Sequence, residues 1–152
     1  MAGAAPRRGF EPARPSGGDR VRPAVTPGET VDAFMAAINA RDLDAATTLL
    51  GDRCECDNVP MGKVHGRVDI HQRLVPMMER CSELGWIAHR QTAAGPVVIN
   101  ERLDRFRWPD GWVEMPRVGV VEVHDGRITL WRDDFDFATH RNQLPAPSGE
   151  GT

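Results

Sequence analysis

Two stretches in the second half of the chain put charge where hydrophobicity indicates core. In residues 97–108, Val98, Asn100, Arg102, Asp104 and Phe106 alternate and so share one face of a strand. In residues 127–137, Thr129, Trp131, Asp133, Phe135 and Phe137 do the same. An apolar face usually points inward, which would bury Arg102, Asp104 and Asp133. Buried charge is costly unless it is paired, and one guanidinium between two carboxylates would pair it. Two carboxyls and a guanidinium in an apolar cavity suit acid and base work. The more crowded or drier Asp keeps its proton, and the other stays ionised. The opposite facing puts Val97, Ile99 and Leu103 inward and leaves Arg102 and Asp104 on a solvated ladder. Alternation alone does not choose between the two.

The surrounding sequence says what would hold such a site. Thr26, Pro27 and Glu29 form a helix start: a cap, a first-turn proline and a capping box. Val31, Phe34, Met35 and Ile38 follow as one apolar stripe. Asp42 can cap a second short helix carrying Leu43, Ala46 and Leu50. A third is expected over about residues 68–83, with Ile70, Leu74, Met77, Met78 and Cys81 on one face and a kink at Pro76. Residues 53–59 read as a short strand. From Gly85 the period changes to two, giving strand-like runs over 86–93, 97–108, 112–124 and 127–137. Asp110-Gly111 and Asp125-Gly126 separate the last three, and Asp-Gly between β-rich runs is a strong hairpin signal. Helices followed by an antiparallel meander make an α+β fold whose curled sheet can enclose a pocket.

The 152 residues suit one domain, and 40% hydrophobic with 27% charged residues is an ordinary globular composition. No apolar run approaches the roughly 18–20 residues that a helical membrane span needs. A net charge of −3 argues against nucleic-acid binding by charge alone. There is no Tyr, which excludes any mechanism needing a phenol. Three Cys form no evident disulfide framework, and a reducing cytoplasm is the simplest setting. Residues 1–25 are rich in Gly, Pro and Arg and are expected to be a disordered basic tail. Arg7-Arg8-Gly9-Phe10 has no apolar segment after it to make an export signal. Residues 26–145 form the expected domain, with 146–152 frayed.

Asn100-Glu101-Arg102-Leu103-Asp104 resembles the Arg-x-Asp segment of the limonene-1,2-epoxide hydrolase family. Residues 126–136, Gly-Arg-Ile-Thr-Leu-Trp-Arg-Asp-Asp-Phe-Asp, resemble that family's Gly-Lys-Ile-Thr-x-Trp-Arg-Asp-Tyr-Phe-Asp segment. The resemblance spans about residues 27–145. It implies a nuclear-transport-factor-2-like (SnoaL-like) cone, a curved mixed sheet with helices closing a deep pocket, usually as a homodimer. It also implies one-step epoxide opening by water, with no cofactor or metal and an apolar, terpene-like or cyclic substrate. On that reading Asp133 is the base, Asp104 the acid and Arg102 the bridge, with Trp131 beside the base. The family holds its water with a Tyr-x-Asn pair. The matching stretch here is Cys56-Asp57-Asn58, which keeps Asn58 and puts Cys56 in the Tyr position.

The expected pocket wall includes Met35, Leu74, Met77 and Met78 from the helices. Met115, Val118, Val120 and Phe135 are the strand candidates. Other activities on this fold stay open: an epoxide-opening or aldol-type cyclase or isomerase, or a non-catalytic binder of small ligands. Cys54 and Cys56 near His65 and His71 lack the spacing of a standard zinc pair. His89, His124 and His140 read as surface or otherwise satisfied residues.

Overall fold

The computed structural model describes residues 24–143. Helix α1 (Pro27–Asn39) opens on the expected capping box. The Glu29 amide donates to Thr26 Oγ1 at 3.2 Å, and the Thr26 amide donates to Glu29 Oε2 at 2.7 Å. Its stripe of Val31, Phe34, Met35 and Ile38 is buried. Helix α2 (Leu43–Thr48) is capped by Asp42, whose Oδ1 accepts from the Ala45 amide at 2.9 Å. Leu50 does not extend this helix. It opens strand β1 (Leu50–Asn58), which is longer than the expected 53–59. Strand β2 (Gly62–His65) folds back on β1 and has no alternation strong enough to be seen beforehand. Helix α3 (Arg67–Arg80) carries on through Pro76 but stops three residues short of the expected end, because Glu83 already belongs to the sheet.

Strands β3 (Glu83–Ala94), β4 (Val97–Trp108), β5 (Gly111–His124) and β6 (Arg127–Asp134) form the antiparallel meander. At the β5–β6 turn Asp125 and Gly126 have φ of 51° and 71°, the pair of positive values that a tight hairpin requires. Strand β1 pairs in parallel with β6, so the sheet is mixed, in the order β2-β1-β6-β5-β4-β3.

Two departures from simple alternation occur on β6. Thr129 does not share the inner face, because the ladder to β5 slips between Glu122 and Val123 and Ile128 takes the buried place. Phe137 does not continue the strand but begins helix α4 (Phe137–Gln143). Asp136 ends the extended run by capping that helix, accepting from the Ala138 and Thr139 amides at 3.0 and 3.1 Å. Gln143 then pins α4 to β5 through bonds of 2.8 and 2.7 Å with the Glu114 backbone.

The inner face of the sheet packs on α1 and α3 around Ile38, Leu50, Ile70, Val98 and Ile128. Phe34, Trp86 and Trp131 meet there with ring centroids 5.1–6.1 Å apart. Ile38 is fully buried in this layer. Ile38→Ala is expected to cost about 2–5 kcal/mol, read as a lower urea midpoint at an unchanged slope.

Candidate active site

Strand alternation turns Val98, Asn100, Arg102, Asp104 and Phe106 inward, and all five are buried. Ile99, inward under the opposite facing, is exposed on the outer side. Asp133 of β6 reaches the same interior. Arg102, Asp104 and Asp133 are 2%, 0% and 1% exposed, so charge lies at the centre of the core.

The cross-strand register explains how one guanidinium reaches both carboxyls. Asn100 on β4 is opposite Gly119 on β5, and Gly119 is opposite Asp133 on β6. With no side chain at 119, Arg102 lies over β5. Arg102 Nε donates to Asp104 Oδ1 at 2.8 Å, and Nη2 donates to Asp133 Oδ2 at 2.6 Å. Its Nη1 donates to Asn100 Oδ1 at 3.1 Å. The guanidinium also stacks 5.0 Å from the Trp86 ring centroid. A Cβ at 119 would stand 2.6 Å from Asn100 Oδ1 and 3.2 Å from Asp133 Oδ1, and would run into Arg102 Nη1.

The two carboxyls have different surroundings. Burial pushes the Asp104 carboxyl above the usual carboxylate range, more strongly than the nearby Arg102 and Arg117 pull it down, and Asp133 adds to the rise. Asp133 Oδ2 accepts from Arg102 and, at 3.0 Å, from Trp131 Nε1. Asp133 Oδ1 is buried and has no hydrogen-bond partner among the described residues. The carboxylates hold Arg102 firmly charged despite its burial.

A second arginine belongs to this cluster and was missing from the sequence reading. Arg117 lies opposite Arg102 in the ladder, with its side chain 9% exposed. Its Nε is 2.9 Å from Asp104 Oδ2, an ion pair off the hydrogen-bond axis, and its Nη1 donates to Asn58 Oδ1 at 3.2 Å. Nη1 also lies 3.4 Å from Asp133 Oδ2, and the guanidinium sits 4.0 Å from the Phe135 ring centroid. Burial pulls the Arg117 pKa down from its usual value. The signal for it was parity: Val113, Met115, Arg117, Gly119 and Val121 share a face.

Arg117 also forms part of the wall of a cavity of about 200 Å³. Leu74, Met77, Met115 and Phe135 line this cavity as expected, and so do Cys56 and Asn58. Met35 and Met78 are instead core residues beside it. Val118 and Val120 lie on the outer side of the sheet, Val118 being 48% exposed, because they have the opposite parity to Met115. Trp131 sits behind the cavity, against Asp133. His140, read from the sequence as a surface or otherwise satisfied residue, comes to the cavity on α4. Asp104 and Asp133 do not line the cavity. Arg117 stands between it and them.

Burial pushes the Cys56 thiol up to about 12, with Asp133 adding to the rise, so the thiol stays neutral. Cys54 faces the core, whereas His65 is exposed beside Glu55 and His71 contacts Asp44 at 3.1 Å. Cys54, Cys56, His65 and His71 form no metal-binding cluster among the described residues.

Comparison with known proteins supplies an independent line. The limonene-1,2-epoxide hydrolase catalytic domain matches residues 25–145. Epoxide hydrolase EphG of Mycobacterium tuberculosis is 36% identical over 109 residues, covering 70% of each chain. A solved M. tuberculosis LEH-like epoxide hydrolase superposes with a TM-score of 0.70 at 34% identity, over 76% of this chain and 86% of that one. A putative SnoaL-like polyketide cyclase from Shewanella denitrificans superposes at 0.72, over 80% and 97% of the two chains. Its 17% identity makes this a likeness of fold.

Gly119→Ala is expected to displace Arg102 from the carboxyl pair. Thermal melting should show a stability loss beyond the roughly 1 kcal/mol typical of a single substitution. A crystal structure of the variant should show the Arg102–Asp133 contact lengthened.

Proposed function

Because this chain belongs to the limonene-1,2-epoxide hydrolase family, we propose that Asp104, Arg102 and Asp133 open an epoxide to a vicinal diol with water. The observation that carries this reading is the buried Asp104–Arg102–Asp133 bridge, in which one carboxyl is pushed toward its protonated form. Asp104 is the acid and Asp133 the base. Water donates a proton to Asp133 Oδ1, the oxygen with no other partner, as its own oxygen attacks one ring carbon. The C–O bond breaks on the opposite side, and its electron pair takes the proton of Asp104. No bond to the enzyme forms. The proton gained by Asp133 and the one lost by Asp104 are rebalanced through solvent beside Arg102.

Asn58 and Arg117 take over what the family's Tyr does. Arg117 fixes Asn58 through Oδ1, leaving Asn58 Nδ2 to donate to the attacking water. The neutral Cys56 thiol packs beside them with little hydrogen-bonding power. Arg117 must turn aside from Asp104 for the epoxide oxygen to reach the acid. The mostly apolar wall of Leu74, Met77, Met115 and Phe135 suits a hydrocarbon ring or chain. Trp131 keeps Asp133 oriented.

Residues 26–145 act as one domain, and the working form is a homodimer. Ile87, Ile99 and Val118 expose apolar side chains on adjacent strands of the outer sheet face, a surface that a second copy would cover. Three free buried thiols fit a reducing cytoplasm. No role for nucleic acid, membrane or cofactor enters this reading.

In ¹⁸O-labelled water, the wild type should convert a cyclic epoxide to a diol carrying one labelled oxygen. Asp104→Asn and Asp133→Asn should each lose about 10²–10⁴-fold in kcat at retained fold, measured beside circular dichroism. Diol formation at the wild-type rate in either variant would refute the assignment. The pH profile has a fixed sign. Asp104 acts while protonated and its pKa is raised, so kcat should persist above the pH at which a free carboxyl ionises. It should fall as pH rises through the Asp104 pKa.

A further inference from the structure

The wall of the cavity is rich in hydrogen-bond donors and poor in acceptors. Arg73 of α3 lines it, half-buried, and pairs with no carboxylate among the described residues. Trp108 and His140 line it too, and the buried ring nitrogens Trp108 Nε1 and His140 Nδ1 have no hydrogen-bond partner among the described residues. Burial, with the charge of Arg117 nearby, holds His140 below its usual pKa and therefore neutral at pH 7, where one ring nitrogen still donates. Most acceptors close by are already used: Asn58 Oδ1 by Arg117, and three of the four carboxyl oxygens by Arg102 or Arg117, with Asp133 Oδ1 left for the attacking water.

Charge points the same way. Arg102 and Arg117 offset Asp104 and Asp133 only if both carboxyls are ionised. When Asp104 holds the proton that an acid must hold, one positive charge is left over, and Arg73 adds another. Buried cationic charge without a counterion is unfavourable. A ligand with an apolar body and one anionic oxygen pair would offset one of these two charges and give Arg73 the partner it lacks.

We propose that this cavity is built for a carboxylate-bearing epoxide, its carboxylate held by Arg73 and its apolar ring or chain reaching toward Arg117 and Asp104. The placement of the epoxide rests on the hydrolase reading above. The carboxylate subsite has a readout of its own. Arg73 contributes a charge-assisted hydrogen bond to a planar carboxylate, which neither a neutral ester nor an alcohol can replace.

Two measurements test this. The first compares kcat/KM for 3,4-epoxycyclohexane-1-carboxylate and its methyl ester. The wild type should prefer the free acid by about 10- to 100-fold, the worth of one charge-assisted bond. Arg73→Met should bring the acid-to-ester ratio close to one, and Arg73→Lys should restore part of it. Taking the ratio within one protein removes any general loss from misfolding. The second measures binding of cyclohexanecarboxylate against cyclohexylmethanol by calorimetry, with no turnover. The carboxylate should bind more tightly, and Arg73→Met should weaken it by about tenfold or more.

Equal turnover of acid and ester, with no preference for the carboxylate in binding, would overturn the subsite and leave the hydrolase reading standing. Arg73-dependent carboxylate binding without opening of either epoxide would leave the subsite and remove the hydrolase reading. Neither turnover nor preferential binding would overturn both.

Discussion

Arg102 holds two carboxyls in a place where none of the three groups could remain alone. An unpaired charge of this kind in a dry interior costs several kcal/mol. The bridge therefore requires three things at once: β4 and β6 at a fixed separation, a flat patch on β5 between them, and a lid that keeps water out. Gly119 supplies the flat patch, Asn100 orients the guanidinium, and the Phe34–Trp86–Trp131 group with α1 supplies the cover. The antiparallel register that aligns Asn100, Gly119 and Asp133 is thus part of the chemistry as well as of the fold.

The same bridge separates the roles of two identical side chains. Asp104 is sealed in the driest position and is pushed toward its acid form. Asp133 gathers donors on one oxygen and leaves the other without a partner. An acid and a base can then act together on a strained ring without cofactor chemistry. Arg117 extends the arrangement toward the cavity. It touches both carboxyls and Asn58 and stands where the substrate must come. Substrate entry and the electrostatics of the acid are coupled through that one side chain.

Much of this was legible in the sequence, because period-two alternation records which residues share a face. Trp131 and Asp133 on β6, the Asp-Gly turn at 125–126 and the capping box at Thr26 read correctly, and the charged face of β4 stands out although alternation leaves its direction open. What failed did so where one rule overrode another. A slip in the β5–β6 ladder reversed Thr129, and the Asp136 cap turned an apparent strand into the helix that begins at Phe137. Met35 and Met78 are apolar on the inner side of their helices, but a periodic stripe cannot separate core from cavity wall. Val118 and Val120 were assigned inward with Met115 although alternation forbids it. Respecting that parity would also have revealed Arg117.

Burial, against the pull of Arg102 and Arg117, holds the Asp104 carboxyl above the ordinary carboxylate range. Infrared difference spectroscopy of wild type against Asp104→Asn reads it directly, through the carbonyl stretch of a protonated carboxylic acid. In the wild type such a band should persist above the pH at which a free carboxyl ionises, should be sensitive to deuterium exchange and should be absent from the variant. A band that disappears at the pH where a free carboxyl ionises, or is absent throughout, would contradict the assignment of Asp104 as the acid.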